Sequence, residues 1–139
     1  MPVAKNKGRR TRQRQRPRSL EIEIRFLEGL VKRDPDFVEA WEVLGDNYLA
    51  QGRAGETLEV DERLCQLMPS DARARYNLAC SLVLTGQFER AVRELEHSLD
   101  LGFDDFHHLS RDPELDPVRK HPHFERISAR LRAINSQPA

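Results

Sequence analysis

The sequence predicts an all-α fold built from antiparallel helix pairs, and three observations carry that prediction. Apolar residues recur at period 3.6, as on one face of a helix; Leu20, Ile24, Leu27, Leu30 and Val31 form the first such set. Proline and glycine punctuate the chain about one helix length apart, at Asp34-Pro35, Gln51-Gly52, Pro69 and Gly86. The pattern then recurs. A shift of 34 residues carries Leu44 to Leu78, Gly45 to Ala79, Tyr48 to Leu82, Gly52 to Gly86, Leu58 to Val92 and Asp71 to Asp105. Each pair keeps the size class that a helix contact needs.

With 139 residues the chain is expected to form one domain and to bury a core without staples. Net charge is zero, from 23 basic and 23 acidic residues, but the charges are unevenly placed. Lys5, Lys7, Arg9, Arg10, Arg12, Arg14, Arg16 and Arg18 give residues 1–18 a charge of +8 with no acid, which leaves the body at −8. A basic arm on an acidic body points toward a polyanionic partner. Two cysteines, Cys65 and Cys80, fall in predicted helices and are expected as reduced thiols rather than a disulfide. The N-terminus lacks the apolar stretch of a secretory leader, and no apolar run approaches the ~18 residues of a membrane span. Both absences point to the cytoplasm. An arginine-rich, acid-free start also imitates an organellar transit peptide, although serine is nearly absent from it.

In chain order, residues 1–18 have too little apolar content to offset their ordering entropy and are expected to be disordered. Pro17 closes that arm, and Ser19 is expected to cap a helix over 19–33, with Glu21 and Glu23 well placed at its start. Asp34-Pro35 stops it, because the residue before proline avoids the helical region. Asp36 is expected to cap a helix over 37–50 that carries Trp41, Leu44, Gly45 and Tyr48. A helix over 53–67 brings Leu58, Leu64, Cys65 and Leu67 to its inner side. Helices near 72–85 and 87–100 follow by register, and Leu101-Gly102-Phe103 ends them. Beyond Asp104 lie a short helix over 105–110, a helical turn opened by Pro113, and a last helix opened by Pro122 with Phe124, Ile127, Leu131 and Ile134 on one face. The expected division is a tail at 1–18, a leading half-repeat at 19–35, repeats at 38–71 and 72–105, and a helical cap at 106–139. Two repeats alone would be marginal, since about three are needed to bury one another's faces. The half-repeat and the cap supply what is missing.

The motif Trp41-x2-Leu44-Gly45-x2-Tyr48, followed by Gly52 and then Pro69, is the helix–turn–helix signature W-x2-L-G-x2-Y with a closing proline. Over residues 19–105 the chain resembles the tetratricopeptide repeat (TPR) family. The run from Leu101-Gly102-Phe103-Asp104 through Asp112-Pro113-Glu114-Leu115-Asp116-Pro117 to His121-Pro122-His123-Phe124 resembles the closing segment of many short bacterial TPR proteins. The resemblance implies a right-handed superhelix of antiparallel helix pairs with a C-terminal helical cap. It also gives Gly45 a reason: glycine costs ~1 kcal/mol in a helix interior, which is tolerated where a partner helix crosses closely. Three positions depart from the family pattern. Thr57 stands where a small residue is expected, Asp61 where a large apolar one is, and Arg75 where an aromatic is. Asp61 and Arg75 are expected either to form an ion pair between the repeats or to be two independent solvated charges.

TPR arrays line a concave groove with the first helix of each repeat. The resemblance therefore makes Glu39, Glu42, Val43, Asp46, Leu49 and Ala50 groove-facing in the first repeat, and Arg73, Tyr76, Asn77, Cys80, Val83 and Leu84 in the second. Asn77 occupies a position where such proteins hold a peptide backbone, since an amide offers both donor and acceptor. Arg73 can take a carboxylate. The subclass that clamps a C-terminal carboxylate needs basic and asparagine residues in both repeats, and Glu39 and Val43 exclude it. The partner-binding candidates are thus Glu39, Glu42, Asp46, Arg73, Tyr76, Asn77 and Cys80, with a protein or peptide of basic character as ligand. The alternative is that these are simply solvated helix faces.

The arm, Lys5 to Arg18, fits non-specific and salt-sensitive binding to nucleic acid or the ribosome through phosphates, without base stacking, because no aromatic is interleaved. It also fits folding back on the acidic body. A homo-oligomer through the 19–33 helix or the groove is a further possibility. No catalytic constellation, cofactor motif or metal signature is recognised: His107 and His108 point apart on a helix, His121 and His123 flank Pro122, and neither CxxC nor HExxH accompanies them. The reading is a non-enzymatic scaffold for protein–protein interaction.

Overall fold

A computed structural model describes residues 17–137. The fold is all-α, a TPR-type stack of antiparallel helix pairs. Helix α1 (Pro17–Arg33) leads, followed by the pairs α2 (Val38–Ala50) with α3 (Ala54–Leu67) and α4 (Ala72–Leu84) with α5 (Phe88–Asp100). The chain closes with α6 (Phe106–Arg111), a 3-10 turn at Pro113–Leu115, α7 (Asp116–Arg119), a 3-10 turn at Pro122–Phe124 and α8 (Glu125–Asn135). No described helix is long and apolar enough to cross a membrane.

Two helix starts differ from expectation. Pro17 opens α1 rather than closing the arm, so Ser19 lies inside the first turn and is not its cap. A proline suits that place, since its fixed φ is helical and its missing N–H would have no partner there. Asp36 does not cap α2; Phe37 occupies that position without a side-chain bond, and Asp36 instead meets Arg63 at 3.2 Å. The Asp34-Pro35 turn is held from outside: Trp41 Nε1 donates to the Pro35 carbonyl at 2.7 Å, and Arg63 Nη2 donates to the same oxygen at 3.1 Å. Elsewhere aspartates cap as their type favours. Asp71 accepts from the N–H groups of Arg73 and Ala74, each at 2.9 Å, and Asp105 accepts from His108 N.

Helix ends repeat one device. At Gly52 (φ 72°) the N–H bonds the Leu49 carbonyl, and the next N–H, of Arg53, reaches back to Tyr48. Thirty-four residues on, Gly86 (φ 79°) bonds Val83 and Gln87 bonds Leu82. This is the Schellman arrangement, which needs a left-handed residue and therefore favours glycine.

The core forms two clusters. The first joins Leu20, Ile24, Leu27 and Val31 of α1 to Leu44 and Tyr48 of α2 and Val60 and Leu64 of α3. The second joins α4 and α5 to the closing segment through Leu78, Leu82, Val92, Leu95, Leu109, Leu115 and Ile127. Met68 packs on both. Between the two helix pairs lies a buried polar layer of Thr57, Asp61 and Ser81, none more than 1% exposed. Ser81 Oγ on α4 donates to Asp61 Oδ2 on α3 at 2.5 Å, and Thr57 Oγ1 donates to the Arg53 carbonyl of its own helix. Arg75 pairs with Glu94 of α5 at 3.3 Å. Hydrogen bonds thus join Asp61 to Ser81 and Arg75 to Glu94.

Removing the donor from this buried carboxylate has a calculable effect. Ser81→Ala should destabilise the chain by ~1–3 kcal/mol in urea unfolding, because a buried carboxyl group loses a hydrogen-bond donor out of water. The Asp61→Leu/Ser81→Ala double variant should recover most of that loss, since both polar groups leave together. A double variant less stable than Ser81→Ala alone would show that the layer cannot be replaced by apolar packing.

Candidate functional site

Helices α2 and α4 are the first members of their pairs, and the residues assigned to the groove separate into two groups. On α2, Glu39 and Glu42 are exposed, Val43 is 41% exposed and Asp46 is half-buried. Leu49 is buried and Ala50 half-buried. On α4, Arg73 and Asn77 are half-buried and Leu84 is 48% exposed, whereas Tyr76 and Cys80 have no exposure at all.

Burial of Tyr76 and Cys80 corrects their assignment as partner-binding residues, and the reason lies 27 to 36 residues further along. Phe103 stacks on the Tyr76 ring at 4.4 Å with the planes 6° apart. Asp112, itself 2% exposed, accepts from the Tyr76 hydroxyl at 2.6 Å through Oδ2. Cys80 Sγ lies 4.0 Å from the same oxygen, and His108 Nε2 lies 3.2 Å from it. The other carboxylate oxygen caps the following 3-10 turn by accepting from Glu114 N at 2.9 Å. Arg119 fastens the loop by donating to the carbonyls of Leu109 and Asp112, at 3.1 and 2.7 Å. Burial first, then the neighbouring thiol and the Asp112 carboxylate, pushes the Tyr76 hydroxyl well above its ordinary pKa. Tyr76 is thus an un-ionised donor, and the closing segment occupies the part of the α4 face that the first-helix positions would otherwise offer. Sequence reasoning missed this contact. Its local signal was Asp112-Pro113, which reads as a helix stop.

Next to the α2 face, polar side chains tie α1 down. Tyr48 donates its hydroxyl to Glu28 at 2.5 Å, and Asn47 Nδ2 donates to Glu23 at 2.8 Å. The Arg53 guanidinium lies over the Tyr48 ring at 4.6 Å. Burial and the Glu28 bond raise the Tyr48 pKa well above its usual value. Among the described residues, a cleft of about 490 Å³ lies among α3, α4 and α5 and carries the ion pairs Arg75–Glu94 and Arg90–Glu62, the latter at 3.0 Å. Another, of about 360 Å³, lies among α1, α2 and α3 beside Trp41 and Tyr48. Cys65 borders the larger cleft and is buried; its thiol donates to the Ala74 carbonyl at 3.4 Å. Burial pushes that thiol up to about 12, so at neutral pH it carries no thiolate for attack.

Among the described residues no group of three or more His, Cys, Asp or Glu side chains is placed to hold a metal ion. His121 and His123 stack at 4.9 Å, 20° apart, because His121 caps the 3-10 turn and accepts from His123 N. His123 then reaches Glu89 of α5 at 2.8 Å. The basic candidates Lys5, Lys7, Arg9, Arg10, Arg12, Arg14 and Arg16 lie outside the described residues; Arg18 is described only as part of the α1 backbone.

No family model matches the chain. A stretch of 73 residues, 52% of the chain, is 34% identical to Superkiller protein 3 of Saccharomyces cerevisiae and covers 5% of that protein. A stretch of 84 residues, 58% of the chain, is 30% identical to a chloroplastic protein of Arabidopsis thaliana and covers 25% of it. A third, of 74 residues and 53% of the chain, is 32% identical to the peroxisomal targeting signal receptor of Candida glabrata and covers 12% of it. Each match spans a quarter or less of the relative concerned.

The raised thiol pKa has a pH consequence with a definite sign. Cys65 ionises near 9.0 when unfolded and near 12 when folded, so folding favours the neutral thiol. That contribution is complete below pH 9 and is lost as pH rises toward 12. Urea midpoints followed from pH 8 to about pH 12 should fall less steeply for Cys65→Ala than for the parent chain. Equal slopes would remove Cys65 from the alkaline response.

Proposed function

We propose that the chain is a non-enzymatic scaffold for protein–protein interaction, holding an extended peptide or a partner helix along its first-helix face. The observation that carries this reading is the exposed α2 surface, where Glu39 and Glu42 flank the exposed Val43. Leu84 on α4 is exposed as well. Solvent-facing valine and leucine beside carboxylates match a ligand with apolar side chains set between basic ones. Arg73 and Asn77 add a cation and an amide at the α4 end. Tyr76 and Cys80 contribute from beneath by fixing the closing segment. A stack of TPR-type helix pairs supports the reading, as does similarity to a protein named as a targeting-signal receptor.

Immobilised chain should capture a protein ligand from lysate of its source. Glu42→Lys with Asp46→Lys should reduce that capture by at least about tenfold, and Arg73→Glu with Asn77→Ala should weaken it. Undiminished capture by both variants would move the site off this face.

The eight basic residues of the acid-free arm favour a second reading, a nucleic-acid- or ribosome-associated accessory protein. Under it, deleting residues 1–18 should abolish salt-sensitive retention on RNA or DNA and leave protein capture intact. Retention unchanged by the deletion would discard the second reading.

A further inference from the structure

The cleft among α1, α2 and α3 has a counterpart one repeat further on, and the two differ in the cations they hold. A shift of 34 residues carries Glu28, Trp41, Glu56 and Val60, which line the first, to Glu62, Arg75, Arg90 and Glu94, which line the second. The second cleft neutralises itself: Arg75 meets Glu94 at 3.3 Å and Arg90 meets Glu62 at 3.0 Å. The first has tryptophan and glutamate at those two arginine positions. One guanidinium does reach Tyr48 and Glu56, since Arg53 lies 4.6 Å over the Tyr48 ring and bonds Glu56 at 2.9 Å. Glu28 and the exposed Glu59 share the rest of the cleft with the half-buried Trp41, and Lys32 is the one cation among the lining residues. Among the described residues no lysine or arginine pairs with either carboxylate.

A cleft of this make-up suits a guanidinium from outside the helix pairs. Its counterpart shows that the same geometry seats arginines against carboxylates, and an aromatic wall adds cation–π attraction. Exposed carboxylates such as Glu39 and Glu42 on α2 lie open to solvent, where screening leaves an ion pair little worth. The chain carries its own source of cations. Seven basic residues and no acid run from Lys5 to Arg16, immediately before Pro17, where α1 starts. At about 1.5 Å of rise per residue, Glu28 lies roughly 16 Å along α1 from that point. An extended chain covers about 3.3 Å per residue, so Arg12 and the residues before it reach the cleft. A tethered segment also acts at an effective concentration in about the millimolar range, ahead of a free basic ligand of like affinity. We propose that the cleft seats an arginine of the chain's own basic arm, Arg9, Arg10 or Arg12, against Trp41, with its guanidinium paired to Glu28 and Glu59. This seat does not use the α2 face of Glu39, Glu42 and Val43, so it stands apart from the scaffold reading.

Trp41 is the chain's single tryptophan, so quenching of its fluorescence by acrylamide reads this cleft. In dilute full-length chain at low salt, Trp41 should be quenched less than in a variant whose seven basic residues from Lys5 to Arg16 are all glutamine. Near 1 M salt, where the screening length falls to about 3 Å, the parent should reach the variant's value, and the variant should barely change. Glu59→Lys, at an exposed position, should remove the shielding at low salt in the parent and alter nothing in the glutamine variant. Equal quenching of parent and glutamine variant at low salt would overturn the proposal. Shielding that survives Glu59→Lys would place the arm on another surface, such as α2, and overturn it as well. So would shielding that grows with protein concentration, since the arm of another copy would then fill the cleft.

Discussion

The Asp112 carboxylate, buried and bonded by the Tyr76 hydroxyl, is the contact on which the second half of the molecule depends. A helical stack must bury the apolar face of its last pair, and a charged group inside that burial is costly unless every lone pair is engaged. Asp112 accepts from the Tyr76 hydroxyl and the Cys80 thiol on one oxygen and from the Glu114 N–H on the other. It therefore sets where the closing segment lies on α4. Leu109, Leu115 and Val118, all fully buried, then complete the core around it.

A second polar device joins the helix pairs to each other. The TPR pattern that the chain resembles places apolar bulk at position 61, and the chain has an aspartate there. Ser81 on the facing helix makes it tolerable, because a hydroxyl of that length reaches the carboxylate across the interface. The net worth of such a buried pair is small compared with the loss on removing one partner. Its effect is on specificity of register: α3 and α4 can slide only by separating Ser81 from Asp61. Outside the stack, the Arg126–Glu96 and Arg130–Asp100 pairs guide α8 along α5, though exposed ion pairs of this type add little stability.

Most of the secondary structure was legible because it rests on short-range patterns. Period-3.6 apolar runs, the 34-residue recurrence and the Gly52 and Gly86 stops located α2 to α5 to within two residues at each end. Pro113 marked a helical turn, and Pro122, expected to open the last helix, opens a 3-10 turn that leads into α8 at Glu125. Cap assignment was weaker. Ser19 and Asp36 have the right side chains, yet proline started one helix and the Trp41–Pro35 contact set the other. For the candidate site, the exposure of Glu39, Glu42 and Val43 follows from helix spacing, but the burial of Tyr76 and Cys80 is a contact across 32 to 36 residues that no local pattern encodes.

By itself, then, the sequence determined an all-α chain of paired helices, their register, and which face of each is apolar, because those follow from backbone geometry and spacing along a single segment. The tertiary structure alone decided that the closing segment takes up part of the α4 face, that Asp61 answers Ser81, and that Ile22 and Phe26 of α1 stay exposed. Each of these depends on which surfaces meet. That is settled by the simultaneous burial of apolar area and the pairing of every polar group carried in with it.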